Sequence, residues 1–318
     1  MKKPILAITI PCYNEELCIE KTVYSLFEVL DDLIKKDKID STSFIYLVDD
    51  GSGDETWNII TKLHEKHPSL VKGLKFVRNY GNQKAHIAGL LNAQKLGCDC
   101  AVSIDADLQQ DQWAIEKFID KYIDGKDIVL GIRNSRDTDT FLKKFTAICF
   151  YKTMNLLGVK IPMNHSDFRL VSKKALNILA EYPERELFLR GFFNEIGLKS
   201  DVVKFDVKPR EQGESKFNYA TLLGLALNGI TSFSIMPLRI IAVVGFFMAL
   251  FAVGLGLDVI YEKFILDSTP NGWATLVILL AFFGGLQLFC MGIIGEYIGQ
   301  VFKEVKARPR YVVERELI

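Results

Sequence analysis

A chain of 318 residues has room for one catalytic domain of ordinary size and an appendage. Its 39 basic and 39 acidic side chains cancel, which argues against nucleic acid as a partner, since domains that grip phosphate backbones are usually basic. Hydrophobic residues make up 49% and charged residues 25%, but the charges crowd into the first two-thirds and the last third carries two long uncharged runs.

The first two-thirds alternates short apolar runs with helical patterns. Residues 5–10, 44–48, 74–77, 101–104 and 128–130 read as buried strands. Residues 15–34, 53–66, 83–96 and 112–123 repeat apolar side chains every three or four positions and read as helices between them. This alternation predicts βαβ units, a mostly parallel sheet and an α/β fold, with ligands beyond the carboxyl ends of the strands. Lys2 and Lys3 precede only a short apolar run before Pro11, too short for a secretory signal, so this part is expected in the cytoplasm. Cys12, Cys18, Cys98, Cys100, Cys149 and Cys290 show no paired metal spacing and fit free thiols in a reducing compartment.

Residues 138–159 mix Lys143, Lys144 and Lys152 with aromatic side chains; a helix at a membrane surface and a packed core helix both fit. Residues 217–234 have a similar look with less charge and read as an interfacial amphipathic helix. Residues 240–257 and 268–295 are free of charge apart from Asp267 and Glu296 at their borders, and two such runs in succession predict spans at about 236–260 and 271–297. The connection has no basic excess, whereas Lys303, Lys306, Arg308 and Arg310 follow the second run. The positive-inside rule then expects a multi-pass protein of the inner (plasma) membrane with the catalytic domain (1–216), the C-terminal tail (301–318) and both termini cytoplasmic. Gly284, Gly285, Gly292 and Gly295 allow close helix packing and hint at a homo-oligomer.

Three polar clusters sit at predicted strand ends. Asp105-Ala106-Asp107-Leu108-Gln109 places two carboxylates one residue apart, which repel unless a cation lies between them. Mg²⁺ and Mn²⁺ are held by one or two carboxylates plus substrate phosphates, and such an ion neutralises a departing diphosphate. In the stretch from Asp49 to Glu55, Ser52 and Glu55 form a capping box for the next helix, leaving Asp49 and Asp50 to accept from a ribose or a base. Gly51-Ser52-Gly53 lacks the third glycine of a dinucleotide fingerprint and follows the second strand, which discounts that fold. In Pro11-Cys12-Tyr13-Asn14-Glu15, Asn14 suits an N-cap and Glu15 the helix dipole, while Tyr13 offers a ring for stacking on a base.

PCYNEE, VDDGSGDET, RNYGNQKAHIAG, DADLQQD, SDFRL, FLRG and REQGESKF stand in the order and approximate spacing of family 2 glycosyltransferases. The chain resembles the polyprenyl-phosphate branch of that family, dolichyl-phosphate mannosyltransferase and the bactoprenol glucosyltransferases of the GtrB type, over nearly its whole length. NGITSFSIMPLR before the paired runs favours the GtrB branch. The resemblance implies a GT-A fold, a Rossmann-like mixed sheet, followed by two transmembrane helices. It implies a hexosyltransferase dependent on Mg²⁺ or Mn²⁺, with a nucleotide sugar donor (UDP-glucose favoured) and a polyprenyl-phosphate lipid acceptor. Pro11, Tyr13, Glu15, Val48 and Asp50 match nucleotide-contacting positions; Asp105 and Asp107 match the metal pair, with Ala106 lining the nucleotide and Gln109 a further metal ligand. Arg133, Arg210 and Lys216 match phosphate-binding positions, and Asp167 is a base or a positioning residue. At the acceptor phosphate Lys143 is followed by Ala147 where the family often has Ser, and Asn164-His165-Ser166 replaces a common Asp-Thr-Gly. A processive polysaccharide synthase shares the early motifs but carries Gln-x-x-Arg-Trp near the membrane; Trp57, Trp113 and Trp273 lie elsewhere. A non-catalytic scaffold is disfavoured by Asp105, Asp107, Arg210 and Lys216.

Overall fold

The structure, a computed structural model, describes residues 3–107, 109–134, 165–207, 234–264 and 272–318. The strands are β1 (Leu6–Cys12), β2 (Phe44–Asp49), β3 (Val71–Phe76), β4 (Cys100–Ser103), β5 (Ile128–Arg133), β6 (His165–Ser172), β7 (Ser200–Phe205) and β8 (Val313–Leu317). The helices are α1 (Ile19–Lys35), α2 (Thr56–Lys66), α3 (Asn82–Lys95), α4 (Ala114–Ile123), α5 (Lys173–Glu181), α6 (Leu189–Glu195), α7 (Met236–Phe264) and α8 (Trp273–Val305).

All eight strands join one sheet in the order β7-β5-β6-β4-β1-β2-β3-β8. Strands β3, β2, β1 and β4 run parallel to one another, as do β5 and β7, while β6 is antiparallel to both β4 and β5. The sheet is therefore mixed. Alternation along the strands assigns its two faces. Leu6, Ile8, Ile10, Ile45 and Leu47 pack with Val23, Leu26, Ile60 and Phe118 of α1, α2 and α4. Ala7, Tyr46 and Val48 pack with Ala88, Leu176 and Phe192 of α3, α5 and α6. Because helices cover both faces, the strands read as continuous apolar runs. In α1 the buried Val23, Leu26, Leu30 and Leu33 recur every three or four residues, so the stripe rather than a cap holds the helix. Truncating one of them, Leu30→Ala, should cost about 2–5 kcal/mol.

The sheet order reverses direction between β1 and β4: β2 and β3 lie on one side of β1, and β4 on the other. A crevice for ligands opens at the carboxyl edge of such a switch point.

The two C-terminal helices stand apart from this core. α7 has 29 residues and α8 has 33, about 43 and 50 Å at about 1.5 Å per residue. Both contain stretches long and apolar enough to cross a membrane, Met236–Asp258 and Ile278–Val305, and neither is buried against protein. α8 continues past residue 297, where its span was expected to end, and its end contacts the catalytic domain. The Glu304 carboxylate accepts from the backbone N–H of Arg185 at 2.9 Å and of Glu186 at 3.2 Å. The Arg310 guanidinium donates to the carbonyls of Glu184 and Tyr182. Tyr311 stacks on Phe76 with ring centroids 4.7 Å apart. β8 then pairs antiparallel with β3. The segment read from sequence as a tail thus supplies the edge strand of the catalytic sheet.

Candidate active site

Asp49 and Asp50 at the end of β2, Pro11 and Cys12 at the end of β1, and Asp105 just past β4 follow one another across three adjacent strands. The first two loops are stapled together. Asn14 N donates to Ser52 Oγ at 2.9 Å, Gly53 N to Asn14 Oδ1 at 2.9 Å, and Glu15 N to Thr56 Oγ1 at 2.9 Å. Asn14 adopts a left-handed conformation, φ 52°, and α1 begins only at Ile19. Asn14 is therefore a cross-loop staple and not the expected N-cap. The expected capping box is absent as well: Ser52 Oγ accepts from Asn14, and Asp54 Oδ1 accepts from Thr56 N at 3.1 Å ahead of α2.

Asp50 is almost wholly buried, and both of its oxygens accept backbone bonds, from Tyr80 N at 2.6 Å and Gly81 N at 2.9 Å. It thereby holds the 78–81 loop against β2. Burial, with Asp49 adding to it, pushes its carboxyl up to about 6 against the opposing pull of those two N–H groups. Asp49 accepts from Ser52 N at 3.0 Å through one oxygen; its other oxygen is buried without a hydrogen-bond partner among the described residues. Gly51, at φ +68°, passes so close that a Cβ there would lie 2.3 Å from the Arg78 carbonyl carbon.

Past β4, Asp105 is gripped by Gln110, whose Nε2 donates to Asp105 Oδ2 at 2.5 Å and whose Oε1 accepts from Asp105 N at 3.1 Å. Asp107 Oδ1 accepts from Gln109 N at 3.2 Å, and the buried Ala106 accepts from Thr22 Oγ1 at 2.6 Å through its carbonyl. The Asp105 side chain keeps 35% exposure at the open edge. Surrounding protein first, then the negative charges of Asp167 and Asp107, push its carboxyl up to about 7, with Arg133 and Arg190 pulling the other way. The Asp105 carboxyl, costly to ionise where it stands and with Asp107 two residues on, belongs to a donor set suited to a divalent cation, whose charge would offset that cost. Among the described residues no three His, Cys, Asp or Glu side chains converge as a closed cage; an open pair completed by substrate oxygens is the arrangement these residues fit.

Asp167 and Arg169 point to one face of β6 while Phe168 and Leu170 enter the opposite core. The Asp167 carboxylate accepts from Arg190 of α6 through Nη2 at 2.8 Å and Nε at 3.2 Å, and from Arg169 Nη2. Burial alone would raise the Asp167 carboxyl, but the Arg190 and Arg169 guanidiniums outweigh it and hold it well below the usual range. Nearby, burial holds the His86 imidazole neutral, down to about 4.

A sequence model of glycosyl transferase family 2 matches residues 7–179, and a model of the GtrB C-terminal hairpin matches residues 236–301. The chain belongs to glycosyl transferase family 2. Along its length it is 47% identical to a glycosyltransferase of Bacillus subtilis, YkoT, described as uncharacterized, covering 99% of this chain and 93% of that one. It is 38% identical to an SfII prophage-derived bactoprenol glucosyl transferase of Shigella flexneri, covering 98% of this chain and 97% of that one. Among solved structures, a mannosyltransferase of Pyrobaculum calidifontis in complex with GDP-Man and Mn²⁺ is similar over 97% of this chain and 89% of that one, at 14% identity and a TM-score of 0.45.

In this family 2 chain Pro11, Tyr13, Glu15, Val48, Asp50, Asp105, Ala106, Asp107 and Gln109 gather along one edge of the sheet. Tyr13 is exposed there, whereas the Val48 side chain is wholly buried in the core. Arg133 ends β5 within electrostatic reach of Asp105. Lys143, Arg210 and Lys216 lie outside the described residues. The sequence does not single out His86, Gln110, Arg169 or Arg190. Arg169 and Arg190 were legible only as parts of SDFRL and FLRG; for His86 the available signal was a polar side chain amid the apolar Ala85, Ile87 and Ala88.

Proposed function

We propose that this protein transfers glucose from UDP-glucose to a polyprenyl phosphate with inversion, leaving a membrane-held sugar phosphate. The observation that carries the reading is that one chain joins the acidic carboxyl edge to the GtrB-type hairpin, and that the similarity to bactoprenol glucosyl transferases runs through both. The hairpin brings an acceptor with a lipid tail to the domain that holds a water-soluble donor.

Pro11, Tyr13, Glu15 and the backbone at Val48 receive the nucleoside, and Asp50 acts on it by fixing the 78–81 loop. Asp105 and Asp107, with Gln109, would hold Mg²⁺ or Mn²⁺, which would supply Lewis-acid stabilisation of the leaving diphosphate. Arg133, Arg210 and Lys216 share the phosphate charge, and Lys143 lies on the acceptor side. An acceptor phosphate oxygen attacks the anomeric carbon as the carbon–oxygen bond to UDP breaks, and UDP leaves with the electron pair. An α-linked donor then gives a β-linked product. The attacking phosphate is already anionic at neutral pH, since its second pKa is near 6, so positioning it replaces proton removal.

The topology that supports this chemistry puts both ends of the chain on the cytoplasmic face. A strand that follows both apolar helices yet pairs with β3 fits an even number of crossings, and the basic residues 303–310 favour the cytoplasm.

The test is transfer by purified protein from a panel of radiolabelled nucleotide sugars to undecaprenyl phosphate. Lipid labelling from UDP-glucose above all others is expected. Preference for GDP-mannose or a UDP-aminoarabinose derivative would overturn the sugar; no lipid labelling from any donor would overturn the reaction.

A further inference from the structure

His86 is a buried histidine with one nitrogen satisfied and the other not. Its side chain is 1% exposed. Nδ1 lies 2.6 Å from Ser103 Oγ on β4, and Nε2 is buried without a hydrogen-bond partner among the described residues. Burying an unpaired N–H costs about 1–3 kcal/mol, so a leucine or phenylalanine would hold this place in the core more cheaply. Asp105 Oδ1 lies 3.8 Å from Nε2. Against the ionised Asp105 that holding a cation requires, a bare lone pair on Nε2 would be repelled. The ring therefore carries its proton on Nε2 and accepts the Ser103 hydroxyl proton on Nδ1, as histidines beside carboxylates have their tautomer set by the opposite nitrogen.

We propose that His86 is a positioning residue of the donor site, whose Nε2–H is directed at Asp105 Oδ1 and, with Gln110 on Oδ2, fixes the orientation in which Asp105 meets the metal. The two contacts approach Asp105 from different elements, α3 and the loop before α4. Ser103 lies two residues before Asp105 on the strand that delivers it, so the ring is anchored to the element whose end it orients. An outer partner of this kind commonly changes metal affinity about 10–100-fold. The inference rests on the reading of Asp105 and Asp107 as metal ligands.

The test is equilibrium binding of Mn²⁺, alone and with UDP, followed by electron paramagnetic resonance on the full-length protein in detergent. His86→Leu, which keeps bulk but not the donor, should weaken Mn²⁺ binding about 10-fold or more with an unfolding temperature no lower than wild type. His86→Gln, whose amide can donate in place of Nε2–H, should recover most of that loss. Ser103→Ala, which frees the ring, should also weaken binding. Wild-type affinity in His86→Leu, or His86→Gln as weak as His86→Leu, would overturn the proposal. Should His86→Leu fail to fold, wild-type affinity in Ser103→Ala overturns it instead. A wild-type protein that binds no Mn²⁺ would overturn the metal reading itself, an outcome visible before any variant is compared.

Discussion

To take a proton from an acceptor, Asp167 would have to leave two guanidiniums, Arg169 and Arg190, inside a buried cluster. Its carboxyl is held well below the usual carboxylate range, so it has little affinity for a proton at neutral pH. A pair of this kind stabilises the fold in full above about pH 4 and loses that contribution as pH falls through the depressed folded value. The rate should accordingly show no inflection from Asp167, and its acid limb should follow the acceptor phosphate near pH ~6. Asp167→Asn should destabilise the protein by about 3–5 kcal/mol, because the guanidinium of Arg169 would stay buried without its counter-charge; thermal unfolding reads this directly. Loss of activity in that variant would thus report on the cluster as much as on chemistry. Asp107 makes the opposite prediction. Asp107→Ala should remove nearly all transfer and move unfolding by no more than about 0.5 kcal/mol, and EDTA should do the same to wild type; full activity in EDTA would contradict the metal site. Asp105 and Asp107 stand out in the sequence because like charges one residue apart at a strand end repel unless a cation lies between them. His86 was not legible, since nothing in α3 alone reveals that Ser103 and Asp105 lie against it, and Gln110 was not, since only the folded loop before α4 turns it back onto Asp105.

At the scale of elements, β1, β2, β4 and β5 and helices α1 to α4 could be read from periodicity, because each buries a continuous run or a single stripe. β6 could not. His165-Ser-Asp-Phe-Arg-Leu-Val-Ser is half polar, and its Asp and Arg are buried by pairing with each other and with Arg190. β8 was equally silent: Val313-Glu-Arg-Glu-Leu is short and mostly exposed, and becomes a strand through the free edge of β3. The loops depend on backbone geometry. Gly51→Ala would force a side chain into the left-handed region at about 1–2 kcal/mol and against the Arg78 backbone. Pushing the 78–81 loop off Asp50 should lower the unfolding temperature and raise KM for the donor more than it lowers kcat. An unchanged donor KM would detach that loop from nucleotide binding.

Across the whole molecule, the chain leaves the catalytic domain, runs through α7 and α8 and returns to close the same sheet. Glu304, Arg310, Tyr311 and β8 tie the end of α8 to the 182–188 segment and to β3. Removing residues 312–318 should uncover the β3 edge, lower the unfolding temperature and promote aggregation. A cysteine replacing Ser268 should react with an impermeant reagent in intact cells, and one replacing Arg315, on β8, should not; the reverse pattern would put the catalytic face outside. The central claim, transfer to a lipid phosphate with inversion, is tested most directly by the anomeric configuration of the product, read by nuclear magnetic resonance after incubation of purified protein with UDP-glucose, Mn²⁺ and undecaprenyl phosphate. A β-linked glucosyl phosphate lipid, formed with one equivalent of UDP and lost in Asp107→Ala, is the expected result; an α-linked lipid, or glucose released to water with no lipid product, would contradict it.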